Sequence, residues 1–204
     1  MERPLRYLAL GDSYTIGASV VATERWPAQL VAALREQGIN IGEPEIVAQT
    51  GWTTSELAEG IAQAQPKGPY DLVSLLIGVN NQYRGLSQDE YREEFVELLE
   101  TAVAFAKNNP NRVFVISIPD WGVMPFAQNR DRTEIAAAID AFNAINREET
   151  EQHGLIYIDI TQISRQAVTD SSLVAEDTLH PSGKMYRLWV KLILPEAERL
   201  LLQE

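Results

Sequence analysis

Cysteine is absent from the 204-residue chain, which excludes disulfide frameworks, thiolate metal sites and cysteine nucleophiles. Basic residues are scarce. Seventeen Lys+Arg stand against 29 Asp+Glu, a formal net charge of −12. Such a chain repels phosphate backbones and anionic bilayers, so no nucleic-acid partner is expected. Histidine occurs twice, at 153 and 180, so imidazole chemistry has two possible addresses. No apolar run approaches the roughly 18 residues of a membrane span. After Met1 the chain passes through Glu2-Arg3-Pro4 into Leu5–Leu10, a run too short for the apolar core of a signal peptide. The expectation is a cytoplasmic protein, with an exported one lacking its leader as the alternative. Oligomeric state leaves no mark in the sequence. Internal repeats, low-complexity tracts and Pro/Gly/Ser-rich linkers are also missing, so residues 1–204 read as one domain.

What is present is an alternation. Arg6–Leu10, Glu45–Ala48, Leu72–Ile77, Val113–Ile118 and Leu155–Asp159 read as strands. The third and fourth are apolar at nearly every position, the mark of strands covered on both faces. Between them lie helical periods. Pro27 suits a first helical position, and Leu30, Val31 and Leu34 follow at helical spacing up to Gly38. Thr53 or Thr54 is placed to cap a short helix through Ile61. Ser87 with Glu90, and Asp131 with Glu134, read as helix starts. Gly154 stops the second of these helices. A last helix is expected to begin after Pro181 and run to about Leu194, with Pro195 kinking or restarting it. Five strands alternating with helices predict an α/β fold, a parallel sheet with helices on both faces. Right-handed crossovers then bring the C-terminal ends of all strands to one edge, where ligands bind in such sheets.

Loops at that edge carry the chemistry. After the first strand comes Gly11-Asp12-Ser13-Tyr14-Thr15, where Ser13 is either a nucleophile or a helix cap. After the second comes Thr50-Gly51-Trp52, where Gly51 either offers a backbone N–H to a ligand or simply serves a turn. After the third comes Gly78-Val79-Asn80-Asn81, where an amide can donate to an oxyanion or an Asn-rich turn can form. The long segment after the fifth strand ends in Asp177-Thr178-Leu179-His180-Pro181. His153 lies in Glu-Gln-His-Gly at a helix end, which favours His180 as the base if one is needed. A hydroxyl, a glycine N–H, an amide and an Asp–His pair on four loops of one edge are the parts of an acyl-transfer site.

In these blocks the chain resembles the GDSL, or SGNH, hydrolase family. Leu8-Ala9-Leu10-Gly11-Asp12-Ser13, Thr50-Gly51, Ile77-Gly78-Val79-Asn80 and Asp177-Thr178-Leu179-His180-Pro181 occur in the family's order across residues 8–181. The resemblance implies a flavodoxin-like three-layer α/β/α sandwich. It implies Ser13 as nucleophile, His180 as base and Asp177 as its orienting acid. It implies an oxyanion hole from the Ser13 and Gly51 N–H groups and the Asn80 amide. Metal and organic cofactor are not implied. Two positions depart from the family's habit: Tyr14 stands where Leu is frequent, and Asn81 where Asp is frequent.

The activity so implied is lysophospholipase-like or general acylhydrolase action on a small-molecule ester. Carbohydrate O-acetyl esterase and thioesterase activities are the alternatives on the same machinery. Tyr14, Trp52, Tyr83, Trp121 and Phe126 lie in or beside the edge loops and are candidates to line the substrate site, with loop packing as the competing role. A non-catalytic flavodoxin-like binding module is the alternative from another class. Against it, the first loop carries a carboxylate where phosphate would sit, and the chain lacks both GxxxxGK[ST] and GxGxxG.

Overall fold

A computed structural model describes residues 3–202, so Met1 and Glu2 in the expected leaderless start lie outside it. Five strands form the sheet: β1 (Tyr7–Gly11), β2 (Glu45–Ala48), β3 (Leu72–Leu76), β4 (Val113–Ile116) and β5 (Ile156–Ile158). All adjacent pairs are parallel, in the order β2-β1-β3-β4-β5. Every residue of β1, β3 and β4 is buried, as their near-continuous apolar character requires. The strands end slightly differently from the expectation. β1 runs one residue further because Gly11 pairs with both Ala48 and Leu76. Arg6 leaves the ladder because its N–H donates to the Asp71 carboxylate at 2.9 Å.

The helices are α1 (Ser13–Ile16), α2 (Trp26–Glu36), α3 (Thr54–Ala64), α4 (Val79–Tyr83), α5 (Gln88–Phe105), α6 (Arg132–Gln152), α7 (Thr161–Arg165) and α8 (Gly183–Leu202). α2 packs against α8, while α5 packs against both α3 and α6. A right-handed crossover from β1 outward to β2 and one from β2 back past β1 to β3 place α2 and α3 on opposite faces. The result is three layers, α2/α8, the sheet, and α3/α5/α6. Trp26 and Trp189 are fully buried in the first layer. Tyr91, Phe95 and Leu98 of α5 and Ile139 and Phe142 of α6 fill the other.

Local signals explain most boundaries. Thr53 caps α3 in a reciprocal capping box with Glu56. Ser87 accepts from the Glu90 N–H at the start of α5, and Asp131 accepts from the Thr133 and Glu134 N–H groups at the start of α6. Pro27 occupies the second helical position of α2, where its missing N–H costs no intrahelical bond either. Pro195 does not divide the last helix as expected: α8 is continuous through it. Pro195 and Lys191, whose carbonyl loses its partner, are both exposed, so water can satisfy that carbonyl. Trp189, Ile193, Ala197 and Leu200 meanwhile keep one buried stripe across the proline. No helix among the described residues is long and apolar enough to cross a membrane.

The strand order reverses between β1 and β3. The connection after β1 leads outward to β2, and the one after β3 leads the other way to β4. The loops after β1 and β3 therefore diverge, opening a crevice at the carboxyl edge.

Candidate active site

Ser13 is the first residue of α1, directly past the end of β1. The turn into it is tight. A Cβ on Gly11 would lie 2.3 Å from Thr15 Oγ1 and 2.5 Å from the Leu76 carbonyl oxygen, so a side chain cannot be accommodated without displacing backbone. Asp12 caps α1, its carboxylate accepting the Tyr14 N–H at 3.0 Å. Asp12 is fully buried, and its other oxygen has no hydrogen-bond partner among the described residues. Burial pushes its carboxyl up to about 7, and the Tyr14 and Asp12 N–H groups only partly oppose this.

Across the crevice, α4 carries the two asparagines in different directions. Asn80 lines the cavity, and its Nδ2 donates one hydrogen to the Trp52 carbonyl at 2.8 Å. Asn81 is buried and faces α3: its Oδ1 accepts the Thr54 N–H at 3.1 Å, and its Nδ2 donates to Thr54 Oγ1 at 2.7 Å. Gly51 takes φ +90 with open space where a Cβ would be, so its conformation, not crowding, calls for glycine. Arg84 holds that turn by donating to the Gly51 carbonyl at 2.6 Å while pairing with Glu56 at 3.0 Å. Among the described residues, the Ser13 and Gly51 N–H groups donate to no other atom.

The segment before α8 closes the site. His180 is mostly buried, and its Nδ1 lies 2.5 Å from Asp177 Oδ2. An ionised carboxylate only accepts, so Nδ1 carries the hydrogen and Nε2 is left to accept. Asp177 Oδ1 accepts the Leu179 and His180 N–H groups at 3.0 and 2.9 Å, and Oδ2 also accepts the Ser19 hydroxyl at 2.6 Å. Burial alone would raise the Asp177 pKa, but these donors outweigh it and hold the carboxyl far below the usual range. The edge of the Tyr14 ring meets the His180 ring, with centroids 5.9 Å apart. No hydrogen bond joins Ser13 Oγ to His180. Both line one cavity of about 200 Å³ together with Gly51 and Asn80.

Tyr14, Val79, Tyr83, Trp121, Phe126 and Leu179 supply the apolar wall of that cavity. Trp121 is set by its loop. Asp120 caps the turn that contains it, donates its own N–H to the Ser164 hydroxyl oxygen at 2.9 Å, and is paired with Arg165 at 2.9 Å. Tyr83 and Phe126 flank Trp121 at centroid distances of 5.2 and 6.2 Å. Trp52 departs from the expectation and is not part of the lining. Its ring packs on Gly60 of α3, where a Cβ would collide with it at 2.1 Å, and only its carbonyl reaches the site through Asn80. His153 caps the C-terminal end of α6, its Nδ1 2.7 Å from the Glu149 carbonyl oxygen, at the opposite edge of the sheet. Sequence reasoning missed Ser19, Arg84, Asp120 and Arg165, which are placed only by contacts between distant segments.

The sequence matches the family model of GDSL-like lipases and acylhydrolases over residues 9–188. No curated protein matches it significantly. Among solved structures, the fold is similar to that of TesA, at 16% identity, TM-score 0.74, covering 96% of this chain and 99% of that one. It is similar to the psychrotrophic esterase EstA from Pseudoalteromonas sp., at 16% identity, TM-score 0.70, covering 97% and 99%. It is also similar to Axe2, an acetylxylan esterase from Geobacillus stearothermophilus, at 17% identity, TM-score 0.68, covering 99% and 96%. At these identities the solved structures speak for the three-layer fold, while the family match spans nearly the whole chain. The chain belongs to the GDSL-like lipase/acylhydrolase family, and it is a carboxylic ester hydrolase.

Proposed function

We propose that the chain is a single catalytic domain that hydrolyses esters of short acyl groups through an acyl-enzyme on Ser13. The observation that carries this reading is the meeting of Ser13, Gly51, Asn80 and an Asp177-bound His180 on one cavity. Ser13 Oγ attacks the ester carbonyl as its proton passes to His180 Nε2. The oxyanion is received by the Ser13 and Gly51 N–H groups and by the second hydrogen of the Asn80 amide, none of which has another acceptor among the described residues. His180 returns the proton to the leaving alcohol, and water then cleaves the acyl–Ser13 ester by the same steps in reverse roles. Asp177 holds the ring so that Nε2 faces its task as acceptor and stabilises the imidazolium.

The cavity supports a short acyl chain. At about 200 Å³ it lies below the roughly 300–1,000 Å³ typical of clefts for drug-sized ligands. Six apolar or aromatic side chains form its wall, which suits an alkyl group rather than a charged one. A second reading, a carbohydrate O-acetyl esterase, is favoured by an adjoining polar cleft of about 380 Å³. That cleft shares Tyr83 and Trp121 with the cavity and is also lined by Gln82, Arg130, Asp131 and Glu134. It can take a hydroxylated leaving group while the cavity holds the acyl group.

The test is a ladder of p-nitrophenyl esters from acetate to palmitate, with acetylated sugars, lysophospholipids and acyl thioesters in parallel. The expected result is kcat/KM greatest at acetate to hexanoate and falling for longer chains. A maximum at lauryl or longer chains, or a preference for lysophospholipid, contradicts the short-acyl reading. Hydrolysis of none of these substrates contradicts the esterase reading itself.

A further inference from the structure

We propose that Ser19 is a positioning residue of the site, its hydroxyl locking Asp177 in the orientation that serves His180. The inference rests on the reading of Asp177 and His180 given above. Asp177 Oδ2 receives two short hydrogen bonds, one from His180 Nδ1 at 2.5 Å and one from Ser19 Oγ at 2.6 Å. Its Oδ1 is engaged by the Leu179 and His180 N–H groups. Of these donors only Ser19 comes from outside residues 177–180, and it is 158 positions away in the chain. The local N–H bonds leave the carboxylate attached to its own turn. The Ser19 bond ties that turn to the segment that begins with Ser13.

That segment is built for the reach. α1 is four residues long and ends at Gly17, in the left-handed region at φ +70. Ser19 itself is left-handed at φ +65. A residue with a Cβ pays about 1–2 kcal/mol there, and glycine does not. A glycine would therefore serve the backbone better, and the hydroxyl is what serine adds. It also draws electron density from Oδ2, so Asp177 stabilises the imidazolium less than a carboxylate bonded to the ring alone.

Other titratable groups surround the pair. Tyr14 from α1 and Tyr186 from α8 stay neutral, because burial raises both. Asp12 and Asp120 act on Tyr14, and Arg25 acts on Tyr186. Asp12 can titrate near neutrality, but it is common to all the variants compared, so its contribution cancels in the differences.

The experiment compares wild type, Ser19→Gly, Ser19→Ala and His180→Ala by thermal melting and by kcat and KM on p-nitrophenyl acetate across pH. Ser19→Gly is expected to melt near the wild-type temperature, since relief of the left-handed strain offsets the lost hydrogen bond to Asp177. Its kcat should fall about tenfold with KM within twofold, and the acid limb of the kcat/KM profile should move to higher pH. Ser19→Ala should show the same kinetics with a lower melting temperature. Wild-type kcat and an unmoved acid limb in a folded Ser19→Gly, beside an inactive His180→Ala, overturn the role of Ser19 alone. Full activity in His180→Ala overturns the underlying reading and this inference with it.

Discussion

Replacing Asn80 and Asn81 one at a time by alanine separates two roles held by adjacent residues of the same type. Asn81 is 1% exposed and exchanges two hydrogen bonds with Thr54, the first residue of α3. Thr54 Oγ1 in turn donates to Glu94 of α5, so the asparagine joins α4 to the α3/α5 layer. Alanine at 81 removes both bonds and strands the buried Thr54 N–H. One lost bond at about 1 kcal/mol and one stranded donor at about 1–3 kcal/mol give a cost of roughly 2–4 kcal/mol. For a chain of this size that is a fall in Tm of roughly 5–15 °C. Asn80 makes one half-buried bond, to the Trp52 carbonyl, and its loss costs about 1 kcal/mol. Its second amide hydrogen is the proposed oxyanion donor, and losing such a donor costs about 10²–10³-fold in kcat. The two variants should therefore rank in opposite orders. Asn80→Ala should melt near the wild type and turn over very slowly, with KM nearly unchanged. Asn81→Ala should melt early and keep much of its kcat at temperatures where it is folded. Calorimetric melts and steady-state kinetics on p-nitrophenyl acetate read both quantities. A kcat within threefold of wild type for Asn80→Ala refutes the reasoning, as does a folded, thermally unaltered Asn81→Ala that has lost activity.

Asp12→Asn should change how stability depends on pH. The folded-state pKa is raised from 3.8 to about 7, so the proton-bound form is the one the fold favours. That contribution is complete below about pH 4 and is lost as pH rises to about 7, a span worth up to ~4 kcal/mol. Urea unfolding should find the wild type losing stability relative to Asp12→Asn between about pH 4 and pH 8, and parallel curves contradict this. His180→Ala should abolish turnover, whereas His153→Ala should keep kcat within twofold and lose about 1 kcal/mol of stability with its bond to the Glu149 carbonyl. Comparable losses of kcat in the two variants contradict the assignment of the base.

Strand identity was legible in the sequence because buried parallel strands are apolar on both faces; Val113–Ile116 shows this without interruption and Leu72–Leu76 with Ser74 as its single polar residue. Helix starts were legible where a side chain caps its own helix, as Thr53, Ser87 and Asp131 do. α1 and α4 were not, because four or five residues are too few to show a helical period. Pro195 misled because its local cost is real, but nothing in the chain order reveals that its face is exposed. Within the site, Ser13, Gly51, Asn80 and His180 follow strand ends and could be nominated from position. Trp52 could not be excluded, since its contact with Gly60 is set by packing of α3. Ser19 and Arg165 act through Asp177 and Asp120, partners 158 and 45 residues away, and no local pattern marks such pairs.

The central claim is that Ser13 is the residue acylated during turnover. A fluorophosphonate forms a phosphorus–oxygen bond with an activated serine and expels fluoride, so it marks the nucleophile by mass. The native chain should gain one adduct, mapped by peptide mass analysis to Ser13, with esterase activity lost in step with labelling. Ser13→Ala should remain folded, take up no label and show kcat reduced by several orders of magnitude. An adduct on any other serine, or a folded Ser13→Ala that still turns over ester at a wild-type rate, contradicts the claim.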